Sequence, residues 1–277
     1  MSNDGYFGPG SITWRIHSDP SMFVGGLRAL LVQALNPLAM AAVDQHSNYK
    51  RDPWARLIRT SEYIWATTFG DRATADAAAR RVKEIHKHVH GTDPFTGLAY
   101  LADDPELLLW IHCAEVHSFM TGYHYFGTRL DRDASDRYVR EMVRAAELVG
   151  LHAEDVPHTH GEVTDYLRAQ DMVASPAAKE ALRFVLFPPV VWPGGRYPQV
   201  PAGRLFEIPG RVGWAVPSAA AMAVLPESAR RVYRLPRLRP TIPALRISFA
   251  GFVKAMNAIA PPPPEIAGIR AKMDAAA

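Results

Sequence analysis

The sequence predicts an almost entirely α-helical protein, for three reasons. Apolar residues recur at intervals of three and four along most of the chain, whereas the alternation expected of strands is scarce. An N-capping residue followed by proline, a common start of helices, occurs at Asp52-Pro53 and at Asp104-Pro105. Of the 277 residues, 48% are hydrophobic and 21% are charged, which is typical of a chain that buries a core. We therefore expect one large all-α domain.

The N-terminal helices follow from local patterns. The apolar segment of residues 22–43 is interrupted at Pro37, which predicts two helices that meet there. Asp52-Pro53 begins a helix that runs through Phe69 and ends at Gly70. The alanine-rich segment of residues 73–90 predicts the next helix, with one buried face and Gly91 at its C-terminus.

A central helix is expected after Asp104. The run from Leu107 to Ile111 is apolar on every side, which indicates a helix that is buried all round. Two more helices are predicted, from Ser135 to Leu148 and from Thr159 to Met172. Thr159 and Glu162 have the spacing of a capping box, which supports the start of the second.

The C-terminal third is expected to be less regular. Proline and glycine are dense from Pro188 to Gly210, which predicts a long loop before a smaller, Pro-rich helical part. The prolines at 261–264 predict the start of an extended tail. The single domain of residues 1–277 is thus expected to comprise a core of about 8–185, a loop-rich part of about 186–260 and a tail of 261–277.

Composition excludes several classes of protein. Cys113 is the single cysteine, so a disulfide framework and Cys-rich metal sites are excluded. The formal charge of +3 is too small to indicate nucleic acid, and a solvated stretch is the default for the arginine-rich segment of residues 230–239, although it could touch anionic lipid. No apolar segment reaches the roughly 20 residues of a membrane span, and residues 1–5 lack a signal-peptide start. We expect a cytoplasmic protein, at most peripheral to a membrane.

Helical spacing places Lys83, His86 and His90 on one face. A histidine at the edge of a buried face can offer one ring nitrogen to a metal while the other is held by a carbonyl or carboxylate. Histidines in a last turn also suit the negative end of the helix dipole, and spacing alone favours this second explanation.

Arg56, Arg59 and Thr60 form a second cluster on one helical face. Guanidinium groups could bind carboxylates or polarise bound oxygen, because they offer several donors in a fixed geometry. A solvated face is an equal alternative, since Trp54 and Ile58 indicate only a half-buried surface.

His112 lies within the most apolar helix, where an unpaired imidazole is costly to bury. Glu115, one turn later, could be its partner. A satisfied core histidine is the simplest interpretation, and a supporting role beside a cofactor is the next.

Other catalytic motifs are missing from the sequence. There is no His-Glu-x-x-His zinc motif, no Glu-x-x-His pair, no Gly-x-Ser-x-Gly elbow and no glycine-rich phosphate loop. A histidine-only site for a non-haem metal stays open as an alternative, with His86, His90, His112 and His117 as its ligands.

Four segments together resemble the MpaB-like family, which includes the mycophenolic-acid oxygenase and the rubber-cleaving latex clearing proteins. The resemblance covers most of the chain up to about Tyr166. The segments are Gly8-Pro9-Gly10-Ser11 with Trp14-Arg15; Asn36-Pro37 through Asp44-Gln45-His46-Ser47; Asp52-Pro53-Trp54-Ala55-Arg56-Leu57-Ile58-Arg59-Thr60; and Ile85-His86-Lys87-His88-Val89-His90-Gly91, followed by Asp104 through His112.

The resemblance implies a mainly helical, somewhat globin-like fold that holds haem b and uses dioxygen. His86 matches the family's iron ligand, and Arg56 and Thr60 match its Arg-x-x-x-Thr pattern. Arg59 stands where rubber-cleaving members carry a lysine that can cap the open iron position. Lys83 matches a basic position near the haem propionates.

Three histidines depart from the family's pattern. His90 and His88 replace usual arginines, and His117 replaces a usual aspartate. Propionate pairing and the local proton network are therefore expected to differ here.

The resulting expectation is a haem b oxygenase that acts with dioxygen on an apolar, unsaturated small molecule or lipid-like substrate. His86 is the expected iron ligand, Lys83, His90 and His112 are expected near the cofactor, and Arg56, Arg59 and Thr60 near bound oxygen. The remaining alternatives are the non-haem metal site and a haem carrier or sensor without catalysis. Asp44 and Glu115 are the candidates for a catalytic base.

Overall fold

A computed structural model describes residues 4–187, 204–259 and 264–276, apart from the side chains of 204–212, 259 and 264. Within these residues the chain is a set of α-helices with one small antiparallel sheet. The helices are α1 Ile12–His17, α2 Met22–Gln33, α3 Pro37–His46, α4 Pro53–Phe69, α5 Arg72–Lys87, α6 Pro105–Phe126, α7 Arg132–Val149, α8 His160–Ala169, α9 Pro176–Leu186, α10 Arg204–Ala223, α11 Glu227–Val232, α12 Ile242–Ile259 and α13 Pro264–Asp274; the strands are β1 His90–Thr92 and β2 Ala99–Leu101. The predicted all-α fold is confirmed.

Helix α6 forms the centre of the core, as its apolar sequence predicts. Asp104 caps its first turn, and Pro105 occupies the first helical position, where a missing N–H costs nothing. Most of its residues are buried, because other helices cover it on several sides.

Helices α2 and α6 cross so closely that their backbones are in contact. A Cβ atom at Gly122 would lie 2.7 Å from the backbone nitrogen of Gly25, and a Cβ at Gly25 would lie 2.8 Å from Cα of Phe119. Real Cβ atoms do not approach that closely, so glycine at both positions is what allows the crossing.

The C-terminal end of α2 is bonded by residues that are distant in sequence. The last carbonyls of a helix have no partner within it and need one elsewhere when they are buried. Here Tyr233 Oη donates to the carbonyl of Leu31 at 2.8 Å, and Trp110 Nε1 donates to that of Gln33 at 3.0 Å. The backbone N–H of Val173 donates to Leu35, just beyond the helix, at 2.8 Å.

The predicted helix of residues 73–90 ends earlier than expected. Helix α5 stops at Lys87, and His90 begins strand β1, where it pairs with Leu101 of β2. Gly91 does not close the helix but lies in β1 against the ring of Tyr100, whose Oη would be 2.7 Å from an added Cβ. The prediction that His90 lies on the same helical face as His86 is therefore wrong.

The C-terminal predictions need two corrections. Residues 204–210 of the predicted loop belong to α10, while its residues 188–203 lie outside the described residues. The tail is not extended over 264–274, because Pro264 starts α13 and Ile269 packs in a buried cluster with Phe7 and Trp14. Proline at a first helical position is compatible with a helix, so a proline run does not by itself predict extended chain.

None of the described helices alone is long and apolar enough to cross a bilayer. Helices α2 and α3 reach that length and composition only as a pair, with a bend of 105° between them.

Candidate functional site

The candidate site lies at the open end of the α4–α5 hairpin. The two helices are joined by a short turn at Gly70-Asp71 and pack against each other as antiparallel neighbours. Arg56 precedes the turn and His86 follows it by similar lengths of helix, each roughly 20 Å at 1.5 Å per residue. The fold therefore brings the two predicted clusters to the same end of the hairpin.

His86 is half-buried, and its Nδ1 atom is enclosed without a hydrogen-bond partner among the described residues. Burial lowers the pKa of His86, an effect that the carboxylate of Asp103 partly opposes. The imidazole is consequently neutral at physiological pH, which is the form that binds metals. An enclosed, unpaired nitrogen on a neutral ring is unusual and marks His86 as a candidate for function.

Arg56 and Arg59 carry positive charge at this end of α4. Arg56 is half-buried and Arg59 is exposed, and burial together with Arg59 lowers the pKa of Arg56. Among the described side chains, no carboxylate forms a salt bridge with either arginine. Thr60 is exposed and its hydroxyl donates to the carbonyl of Arg56 at 3.1 Å. The pair therefore offers guanidinium donors that the protein itself does not neutralise.

The other predicted cofactor residues lie apart from this arrangement. Lys83 is exposed on α5, one turn before His86. His90 is exposed on β1 and borders a separate groove of about 870 Å³, which Tyr100 and Tyr166 also line. His112 is buried in α6, and burial lowers its pKa to about 4. No hydrogen bond joins His112 to Glu115 in the described structure, so the expected partnership is wrong.

Glu115 lies deep in the fold and keeps a partly accessible edge. Burial raises the pKa of its carboxyl to about 7, and its charge contributes to raising the pKa of Tyr63 on α4. Asp44, the other candidate base, instead accepts a hydrogen bond from Tyr49 at 3.0 Å and pairs with Lys50 at 2.7 Å. A carboxyl that exchanges its proton near neutral pH can serve as an acid or a base, which favours Glu115.

We expect the stability of the protein to change with pH through Glu115. Because its folded-state pKa is raised above the unfolded value, the native state holds a proton that the unfolded state releases. Stability is thus lost as pH rises from about 4.5 through about 7. Glu115→Gln should remove this loss. Between pH 5 and pH 8 the free energy of unfolding of the variant should therefore rise, relative to that of the wild type, by up to roughly 3 kcal/mol. Urea unfolding of both proteins at pH 5 and at pH 8 measures this difference.

The exposed Glu106 on the same helix provides the control, since Glu106→Gln should leave the pH dependence unchanged. An unchanged slope in Glu115→Gln would show that this carboxyl titrates normally.

Sequence reasoning missed two residues near the site. Tyr63 is half-buried on α4 near Glu115, and Asp103 acts on His86 from the segment before α6. Neither belongs to a recognisable motif, and only the tertiary fold brings Tyr63 near Glu115 and Asp103 near His86.

The histidines that were predicted as ligands of a non-haem metal do not lie together in one site. In the part of the chain that the structure describes, no three His, Cys, Asp or Glu side chains are placed to hold a metal ion together. The four histidines of the non-haem alternative lie on α5, β1 and α6 and form no common site.

A family model described as the catalytic domain of the ER-bound oxygenase mpaB/B′ and rubber oxygenase matches residues 14–258. The match begins in α1 and ends in α12, so it includes α4, α5 and α6. No curated protein and no solved structure matches the chain.

Proposed function

Because this chain belongs to the family of mpaB-type and rubber oxygenases and is therefore an oxidoreductase, we propose that it is a haem b-dependent oxygenase with His86 as the iron ligand. The observation that carries the proposal is the neutral His86 ring at the open end of the α4–α5 hairpin, opposite two unneutralised arginines.

The residues present fit a haem in chemical character. His86 would offer a neutral imidazole to the haem iron, and its Nδ1 has no hydrogen-bond partner among the described residues. Haem carries two propionates, and Lys83, Arg56 and Arg59 supply positive charge at this end of the hairpin. Bound haem would supply the activation of dioxygen, which amino-acid side chains cannot perform.

The protein's own residues would bind, orient and exclude water. Arg56 and Arg59 would donate hydrogen bonds from α4, and the Thr60 hydroxyl, whose proton is donated to the carbonyl of Arg56, would accept one. Glu115 would hold or release a proton from the α6 side, because its pKa lies near physiological pH. The substrate is proposed to be apolar, since the core around α6 is aliphatic and aromatic, and unsaturated by analogy with the rubber oxygenases of the family.

Two rivals remain distinct from this proposal. A non-haem metal oxidoreductase would need converging ligands, and the described histidines do not converge. A haem carrier or sensor would bind haem at the same histidine without turnover. Catalytic turnover therefore distinguishes the proposed oxygenase from a haem carrier or sensor.

The test combines a spectrum with oxygen uptake. Protein expressed with haem precursors should show a Soret band after purification. It should then consume oxygen with squalene, an unsaturated hydrocarbon, and not with squalane, its saturated counterpart. Haem binding without substrate-dependent oxygen uptake would favour a carrier or sensor, and bound metal without porphyrin would favour the non-haem site.

Replacing Arg56 with glutamine is expected to separate binding from activity. A neutral amide cannot provide the charged donors of a guanidinium, so we expect oxygen uptake to fall by roughly 10²-fold or more while the Soret band stays. The exposed Arg51, which precedes α4, gives the matched control Arg51→Gln, for which uptake should not change. Equal activity of wild type and Arg56→Gln would remove Arg56 from the site.

A further inference from the structure

Arg28 of α2 is a buried charge far from the chemistry described so far. Its side chain is 1% exposed. Nε donates to the carbonyl of Val224 at 2.9 Å, Nη1 donates to the hydroxyl of Ser118 at 2.6 Å, and Nη2 donates to Nδ1 of His117 at 3.0 Å. The guanidinium is thus held by three neutral groups, two on α6 and one directly after α10.

No carboxylate lies within salt-bridge distance of Arg28 among the described side chains. Burial lowers its pKa to about 9, so the group stays charged at physiological pH. Of the residues whose side chains are not described, Glu207 is the only acid, and it precedes the end of α10 by roughly 24 Å of helix. A buried cation without an anion is costly, because the low-dielectric interior does not screen it.

The groups around Arg28 make this imbalance larger. The charge of Arg239 acts on Arg28, and that of Arg168 acts on His117. The ring of His160 lies 5.8 Å from that of His117, tilted by 31°, and burial lowers its pKa, which keeps it neutral. Two acids are close, but neither bonds to Arg28 or to the ring of His117. Asp136 accepts from the backbone N–H of His160 at 2.8 Å, and Asp165 pairs with Arg168 at 3.4 Å.

His117 connects the buried charge to the surface. Because Arg28 can only donate, Nδ1 of His117 must accept, and the proton of the neutral ring is therefore on Nε2. Burial and the charges of Arg28 and Arg168 hold the pKa of His117 well below its usual range, so the ring remains in this form. Its partly accessible edge leaves Nε2 without a described partner.

We propose that His117, His160 and Arg168 form the rim of a binding site for a small oxyanion, a carboxylate or a phosphate group, with Arg28 as the buried charge behind it. The anion would accept from Nε2 of His117 and supply the negative charge that Arg28 lacks. The surrounding cations would attract it and hold it, since charge-assisted bonds are the stronger ones.

This site is independent of the proposed iron site. His117 and Glu115 are two residues apart on α6, which places them on nearly opposite sides of the helix. Loss of haem should therefore leave anion binding intact, and loss of the anion site should leave the Soret band intact.

The test uses titration calorimetry and thermal unfolding of the full chain at low ionic strength. The probes are sodium octanoate, inorganic phosphate and 1-octanol, which has the same chain as octanoate without the charge. We expect one of the two anions to bind in the micromolar to low millimolar range and to raise Tm, and 1-octanol to do neither. Tighter binding of octanoate would identify an organic acid as the ligand, and tighter binding of phosphate would identify a phosphate ester. No binding of either anion would overturn the proposal.

Two variants test the assignment to residues. His117→Asp places a carboxylate beside Arg28, so we expect Tm without ligand to rise by roughly 2–4 °C and anion affinity to fall more than about tenfold. His152→Asp makes the same change at an exposed position and should do neither. Arg239→Gln removes an exposed charge that acts on Arg28 and should weaken binding about two- to fivefold without loss of folding. Unchanged anion affinity in both His117→Asp and Arg239→Gln would overturn the proposal.

Discussion

Replacing His86 with alanine is expected to abolish haem binding. Among the described residues, His86 is the only ring at the open end of the α4–α5 hairpin with an enclosed, unpaired nitrogen. Because this histidine would hold the haem iron, we expect the haem content of purified protein to fall by more than roughly tenfold. The ratio of Soret to protein absorbance measures it, and added imidazole should restore part of the band by filling the space of the missing ring.

His88→Ala is the matched control for this experiment. His88 is exposed at the C-cap of the same helix, two residues further along, so its removal should leave the haem content unchanged. A full Soret band in His86→Ala would assign the iron to another residue, and a loss in His88→Ala alone would move the ligand to the C-cap.

Replacing Gly122 with alanine is expected to destabilise the whole fold. The added methyl would lie 2.7 Å from the backbone nitrogen of Gly25 and 2.8 Å from its Cα. Backbone atoms cannot rotate away as a side chain could, so α2 and α6 must separate. We expect a loss of about 3 kcal/mol in the free energy of unfolding, or roughly 6–12 °C in Tm. Thermal unfolding followed by circular dichroism measures the change.

Gly26→Ala is the control, because it makes the same substitution on α2, the helix that crosses α6 at Gly122. No atom lies within 4 Å of a Cβ at Gly26, so this variant should gain about 0.5–1 kcal/mol from reduced chain entropy. If both variants behaved alike, backbone contact would not be what sets the cost at Gly122.

Helix patterns with clear end signals were predictable from the sequence. Pro37 does begin α3, Gly70 does end α4, and the capping box of Thr159 and Glu162 does open α8. The two-stranded sheet and the early end of α5 were not predictable, because both depend on Tyr100 packing against Gly91 and bonding to Gln45 on another helix. The somewhat globin-like arrangement of the core stays a prediction.

The candidate site was predictable only in part. Helical spacing alone favoured a dipole-related cluster at His86, and the family resemblance led to a metal ligand instead. His90 could not be placed by spacing, since the chain leaves the helix before it. Arg28 carries no signal in the sequence at all. It is one arginine in an apolar helix, and only the crossing of α2 with α6 shows that it is buried without an acid.

The bonds at the end of α2 have a consequence for folding during synthesis. Tyr233 follows Leu31 by 202 residues, and a ribosome adding 5–20 residues per second needs roughly 10–40 s to produce that interval. Until then the nascent chain contains an apolar helix whose Leu31 carbonyl has only water to bond. We expect chains truncated before residue 225 to aggregate or to require chaperones, because they lack the C-terminal residues that bond the end of α2.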